Sequence, residues 1–297
     1  MRSDIAINDV LLKCEALKRA GLWAAEPRIR PRAWISNFDQ SDRAIAAKLL
    51  DRFTFYNSAL TDRLLVASFD SIGDGMPKGP NAPTRAQLLS VVGSAVWTPV
   101  QGESPNPTDS GNLLCRRARQ LLAVPEDRIV EADRAIAIAA QGHPIVFVDD
   151  FVGSGEQFLK TWTRSFNGDS FAMIHSNNHF TAIYITLVAT AKGIGRIYND
   201  APSVAVCATH ILEDRSTIYG CSGADLQFAA DMPAFLQKYS SRLRPQENYI
   251  SSSASFLQYG FGSLGLMFGF DHSIPDATLP IFWAPGDGSW EPLIERN

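Results

Sequence analysis

Four consecutive apolar β-formers, Ile145-Val146-Phe147-Val148, run directly into Asp149-Asp150 and then into Phe151-Val152-Gly153-Ser154-Gly155. An unbroken apolar run of this kind suits a strand buried on both faces, which requires helices above and below a parallel sheet. Carboxylates at the carboxyl end of such a strand stand where open α/β sheets receive ligands. The two glycines allow positive φ and close approach of the backbone to a ligand. A helix beginning near Glu156 would then present successive N–H groups and the positive end of its dipole to an anion. Ser154 adds a hydroxyl donor, while Asp149 and Asp150 supply acceptors suited to ribose hydroxyls, directly or through Mg²⁺. Donors for a phosphate and acceptors for a sugar thus lie a few residues apart, and a sugar phosphate is the matching ligand.

The surrounding sequence alternates strand and helix signals. Leu64–Ser68 and Val91–Trp97 read as strands, with a helix beginning at Ala86–Leu89 between them. Helical spacing returns over Leu113–Val124, and Asp133–Gln141 follows a short strand-like Ile129-Val130-Glu131. Past the motif, Phe158–Phe166 reads as helix, and Tyr184–Thr190 and Val204–Ile211 as strands. Such alternation predicts a mostly parallel sheet in an α/β fold. Residues 1–62 read as a helical region, with Ile45, Leu49, Leu50 and Phe53 forming one apolar stripe. The expected organisation is an N-terminal helical region (1–62), an α/β core (63–215) and a C-terminal extension (216–297). The segment Pro99–Gly111, rich in Gly, Pro, Ser, Asn and Asp, reads as a surface loop inside the core.

Composition narrows the function classes. The chain has 297 residues and a net charge of −4, so it lacks the basic excess of a dedicated nucleic-acid binder. Direct nucleic-acid binding is not expected. Cys14, Cys115, Cys207 and Cys221 are scattered without metal-ligand spacing, as for free thiols. No window approaches the roughly 18 apolar residues of a membrane span, and no signal peptide is read at the N-terminus. A cytoplasmic, membrane-free protein is the expectation.

Residues 145–157 resemble the signature of type I phosphoribosyltransferases: four hydrophobic residues, two acids, then small and hydroxyl residues leading into a helix. The stretch Asp271–Trp283 and the later Trp290-Glu291-Pro292-Leu293 resemble the tail of phosphoribosyltransferase-like proteins of bacterial conflict (anti-phage defence) systems, so the similarity spans most of 64–293. The resemblance implies a type I parallel sheet flanked by helices, with the C-terminal extension as hood or cap. It implies that Asp149 and Asp150 face the ribose hydroxyls of phosphoribosyl pyrophosphate, with Mg²⁺ held directly or indirectly. It also implies that Val152, Gly153, Ser154, Gly155, Glu156 and Gln157 surround the 5′-phosphate. Lys78 falls where the family usually places a pyrophosphate-binding loop, and Arg116 or Arg117 where a closing loop would present charge. Here the chain departs from the usual pattern: Glu156 and Gln157 stand where family members commonly carry glycine and threonine. Protein partners in a defence complex, an ATPase or a reverse transcriptase, are a further implication.

Bland readings stand beside these. Lys78 could be a solvated loop lysine, and Thr108, Asp109, Ser110, Asn112 and Arg116 a solvated loop. His175 and His179, with His210, read as polar histidines rather than metal ligands, because no carboxylate or cysteine completes a set. His272 reads as a bystander, and Phe282 and Trp283 as core. Gly153-Ser154-Gly155 lacks the spacing of a nucleophile elbow, and no Walker-type loop is present. Three functions follow: a transferase acting at the ribose anomeric carbon, a catalytically silent nucleotide sensor, and a structural subunit.

Overall fold

The computed structural model describes residues 2–72, 84–102, 109–220, 226–244 and 253–296. It contains two compact units, one formed by residues 59–212 and the other by 1–58 together with 213–297. The chain opens with α1 (Arg2–Arg19), α2 (Pro31–Ser36), α3 (Arg43–Arg52) and the short strand β1 (Thr54–Tyr56). On α3 the buried residues are Ala46, Ala47, Leu49 and Leu50, with Phe53 buried just beyond its end. Gly21, at φ +69°, closes the turn after α1.

The second unit carries the motif. Its elements are α4 (Ser58–Asp70), α5 (Arg85–Val91), β2 (Val96–Pro99), α6 (Ser110–Leu121), α7 (Ala132–Ala139), β3 (Ile145–Val152), α8 (Glu156–Thr163), α9 (Phe171–Asn178), β4 (Ala182–Thr190), α10 (Ala191–Asp200) and β5 (Ala205–Leu212). Strands β2, β3, β4 and β5 form one sheet in that order, every pair parallel, with Ile145 opposite Ala182 and Ile183 opposite Ala205. All nine residues of β4 are buried, as are seven of the eight in β3, which is what helices on both faces demand. On one face Phe147 and Tyr184 meet Phe158 and Trp162 of α8 and Phe171 of α9; the Phe158 and Tyr184 rings stack at 4.4 Å. On the other face Phe69 of α4 stacks on Trp97 at 6.0 Å, and Ser68 donates to the Thr186 carbonyl.

Three sequence expectations are corrected. Leu64–Ser68, read as a strand, lies in the middle of α4. The buried residues there are Thr61, Leu64, Leu65 and Ser68, the i, i+3, i+4, i+7 spacing of a helix face, and a five-residue apolar window is too short to separate that from a strand. The run Val91–Trp97 divides instead of forming one strand: α5 ends at Val91, a 3₁₀ turn takes Val92–Ser94, and β2 starts at Val96. Ile129, expected in a short strand, makes a single parallel bridge to Trp97.

The remaining elements are α11 (Leu226–Ser240), α12 (Ala254–Tyr259) and β6 (Phe268–Phe270), which pairs in parallel with β1. The two chain ends, read apart in the sequence, share one aromatic core. Trp34 stacks on Phe282 at 5.2 Å, and Phe38 packs on Phe235 at 5.3 Å and on Trp290. Polar contacts fasten the same seam. The Trp34 indole donates to the Ile281 carbonyl, Asn37 exchanges two hydrogen bonds with the Glu291 backbone, and Arg28 donates to the carbonyls of Asp271 and Glu295. Phe282 and Trp283 are buried within it.

Candidate active site

The site grows from the carboxyl end of β3. Asp149 and Asp150 are buried, 2% and 7% exposed. Their contacts include one shared hydroxyl. The Ser110 hydroxyl lies 2.7 Å from Asp149 Oδ1 and 3.0 Å from Asp150 Oδ1. With one hydrogen, it can satisfy only one of the two at a time. The Asp150 amide donates to Asp149 Oδ1 at 2.9 Å, and Gln157 Nε2 to Asp149 Oδ2 at 3.3 Å. Burial, reinforced by the neighbouring Asp150 charge, holds the Asp149 carboxyl well above the usual carboxylate range, against the hydrogen bonds that favour its charged form. Such a pair calls for neutral hydroxyls or a cation, and its donor set therefore fits a sugar or a hard divalent ion.

Beyond Val152 the chain turns through Gly153-Ser154-Gly155. Gly155 has φ +77° and caps α8 in the left-handed region, and a Cβ there would stand 2.8 Å from the Gly193 carbonyl oxygen. Only glycine meets both demands. Ser154 Oγ accepts the Glu156 amide at 3.3 Å, which leaves its own hydrogen available to a ligand. Among the described residues, no acceptor faces the amides of Ser154 and Gly155. Adjoining N–H groups left open at a helix start form a concavity for an anion.

Glu156 is drawn away from that concavity by Lys160 at 2.9 Å and Arg196 at 3.8 Å; the Lys160 ammonium in particular lowers its carboxyl pKa. Gln157 turns towards Asp149. The departures from the usual motif thus form an ion pair along the helix and a brace on an acid. Val152 is buried, with its methyl group at the spot a Gly193 side chain would need.

The third wall is the start of α6. A Cβ on Gly111 would come within 2.9 Å of both Pro99 Cβ and the Val148 carbonyl oxygen, so glycine lets this helix end seat directly on β2 and β3. That seating carries Ser110 over the two acids. Arg116, expected near the ligand, sits more than a turn further along α6, exposed, while the buried face is Gly111, Leu114, Cys115 and Ala118. Arg117 pairs with Asp62. Lys78 and Thr108 lie outside the described residues. Sequence reasoning weighed Ser110 only as one of several loop residues, and it missed Thr190 and Gly193, which pack against the glycine turn. A signal for the latter existed: Thr190 ends an apolar strand and Gly193 follows at the spacing of a helix cap and its first turn.

The histidines lie apart. His175 and His179 sit four residues apart on α9 with ring centroids 5.8 Å apart, and His179 ends the helix at φ +49°. Packing against Trp162 and Phe180 half-buries His175, which lowers its pKa. Among the described residues no group of three or more His, Cys, Asp or Glu side chains is placed to hold a metal ion.

A parallel α/β sheet with acids at one strand end and an open amide turn after it defines a type I phosphoribosyltransferase-like protein. The family model PRTase-CE matches residues 31–296, and the chain belongs to that family. No curated protein matches the chain. Family membership supports a phosphoribosyltransferase-like activity on a nucleotide-type ligand. Among the described residues no helix is long and apolar enough to cross a membrane.

Proposed function

We propose that the protein binds phosphoribosyl pyrophosphate, or a related ribose phosphate, together with Mg²⁺, and makes or breaks the bond at the ribose anomeric carbon. The observation that carries this reading is the pairing of open Ser154 and Gly155 amides with two buried acids just upstream. The amides would hold the 5′-phosphate at the start of α8, where the helix dipole adds to the attraction. Asp149 and Asp150 would accept the ribose hydroxyls and fix the ring, and Ser110 would exchange its contact with the acids for one with the ligand. Mg²⁺, held at Asp149 and Asp150 directly or through the ribose hydroxyls, would supply charge to offset the departing pyrophosphate. Positive charge building on the anomeric carbon lies near two carboxylates, so charge stabilisation and orientation provide the rate gain. Lys78 is a candidate partner for the pyrophosphate.

The test is calorimetry with phosphoribosyl pyrophosphate and Mg²⁺, followed by an assay of pyrophosphate release. Wild type should bind and release pyrophosphate in the presence of water or a nucleobase acceptor, and Asp150→Asn should do neither well. No binding at all would remove this reading and leave the structural-subunit alternative. Binding with no release across acceptors would instead support a nucleotide sensor, which the Gln157 contact to Asp149 favours because it occupies an acceptor that substrate would use.

The resemblance adds a setting: a cytoplasmic effector of anti-phage defence, working with an ATPase or reverse transcriptase, whose chemistry depletes or modifies nucleotides. Comparing nucleotide pools in cells expressing wild type and the Asp149→Ala/Asp150→Ala variant tests that setting. Equal pools would count against it.

A further inference from the structure

We infer that Thr190 is a positioning residue that aims the anion-binding turn; the inference rests on reading 153–157 as the phosphate loop. Thr190 ends β4 and caps α10, and only 6% of it is exposed. Its hydroxyl has two partners. It accepts the Gly193 amide at 2.9 Å, as an N-cap does, and it donates to the Gly153 carbonyl at 2.5 Å. The second bond is not needed to cap a helix. It reaches 37 residues back in sequence to the one peptide that opens the glycine turn.

The consequence follows from peptide geometry. In a trans peptide the carbonyl of one residue and the N–H of the next point in opposite directions. Tying the Gly153 carbonyl to Thr190 therefore turns the Ser154 N–H away from α10, the direction in which it has no described acceptor. Were that carbonyl to flip, the amide would point into α10 and be lost to a ligand. Glycine at 153 cannot resist such a flip by its own φ/ψ preference.

The packing around the bond prevents the turn from drifting. A Cβ on Gly193 would fall well inside contact distance of the Gly153 carbonyl oxygen, and one on Gly155 would strike the Gly193 carbonyl. The turn and the first turn of α10 thus touch backbone to backbone on both sides of Ser154. Further along α10, Arg196 lies 3.8 Å from the Glu156 carboxylate and helps hold that like charge in an ion pair. One helix thus fixes an amide for the phosphate and restrains the side chain that would repel it.

The experiment titrates ribose 5-phosphate and inorganic phosphate into the full chain by calorimetry, comparing wild type, T190V, T190A and T190S. Wild type and T190S, which keeps the hydroxyl, should agree closely. T190V and T190A should bind both ligands about tenfold more weakly, as expected for loss of one well-aimed hydrogen bond to a charged group. A capping role alone would lower the unfolding midpoint but leave Kd unchanged well below that midpoint, where the protein is still folded. T190A supplies the measurement should T190V fail to fold. Wild-type affinity in T190V or T190A overturns the role of Thr190 while leaving the phosphate loop intact. No binding of either probe by wild type overturns the loop reading and this inference with it.

Discussion

Replacing Asp149 with asparagine should stabilise the protein at neutral pH, because the site keeps two carboxylates close together and out of water. Both have an oxygen within hydrogen-bonding distance of one hydroxyl, at 2.7 and 3.0 Å, so their nearest oxygens are separated by no more than the sum of those distances. Two unit charges roughly 5 Å apart at an effective dielectric of about 20 repel by about 3 kcal/mol. The asparagine oxygen can keep the bonds from Ser110 and the Asp150 amide, while Gln157 must rotate its amide to meet an N–H₂ group. After that adjustment the expected gain is about 1–3 kcal/mol. The pH dependence gives the sign. The folded state raises the Asp149 pKa above its ordinary value of 3.8. The stability this group contributes is therefore full below that value and is lost as pH rises through the raised pKa. The gain of Asp149→Asn over wild type should be near zero at about pH 4 and grow by at most about 1.4 kcal/mol per pH unit until the wild-type group has ionised. Urea denaturation followed by circular dichroism at several pH values measures it. A variant no more stable than wild type at neutral pH, or a gain that does not change with pH, would refute the argument that the acids are mutually strained.

Ser110→Ala should act in the opposite direction, costing about 1–3 kcal/mol because it strips a donor from a buried charge pair; denaturation of Ser110→Ala equal to wild type would show that the hydroxyl is dispensable. Gly155→Ala should cost about 1–3 kcal/mol, since alanine must adopt φ +77° with its Cβ against the Gly193 carbonyl, and should abolish ribose 5-phosphate binding by calorimetry; tight binding would mean the turn is not the phosphate site. Arg116→Ala should leave phosphoribosyl pyrophosphate affinity within about twofold of wild type, because the side chain is exposed on α6 more than a turn past Ser110; a loss of tenfold or more would place it at the ligand after all.

The central strand, its acids and the turn after it were legible from residues 145–157 because their information is local. Four apolar residues in a row specify double-sided burial, and two glycines around a serine specify a turn that can meet an anion. The alternation of strand and helix signals likewise pointed to a parallel sheet, since each period is written in neighbouring residues. The resemblance to the type I phosphoribosyltransferase signature rested on the same contiguous stretch, and the narrower one added Asp271–Trp283 and Trp290–Leu293.

Tertiary structure decided what surrounds that stretch. Ser110 and Thr190 reach the motif from 39 and 37 residues away, and a serine in a polar loop looks the same whether it faces water or two buried acids. A carboxylate at Glu156 would repel a phosphate if left alone; its i, i+4 pairing with Lys160 is local to α8, whereas its contact with Arg196 depends on where α10 lies. Leu64–Ser68 became helix because its burial pattern runs through Thr61, beyond the short apolar window that suggested a strand. The two ends of the chain joined one core through Trp34, Phe38 and Phe282, a pairing that local periodicity cannot encode. Hydrophobic periodicity tells which face of an element is buried, and only packing tells what it is buried against.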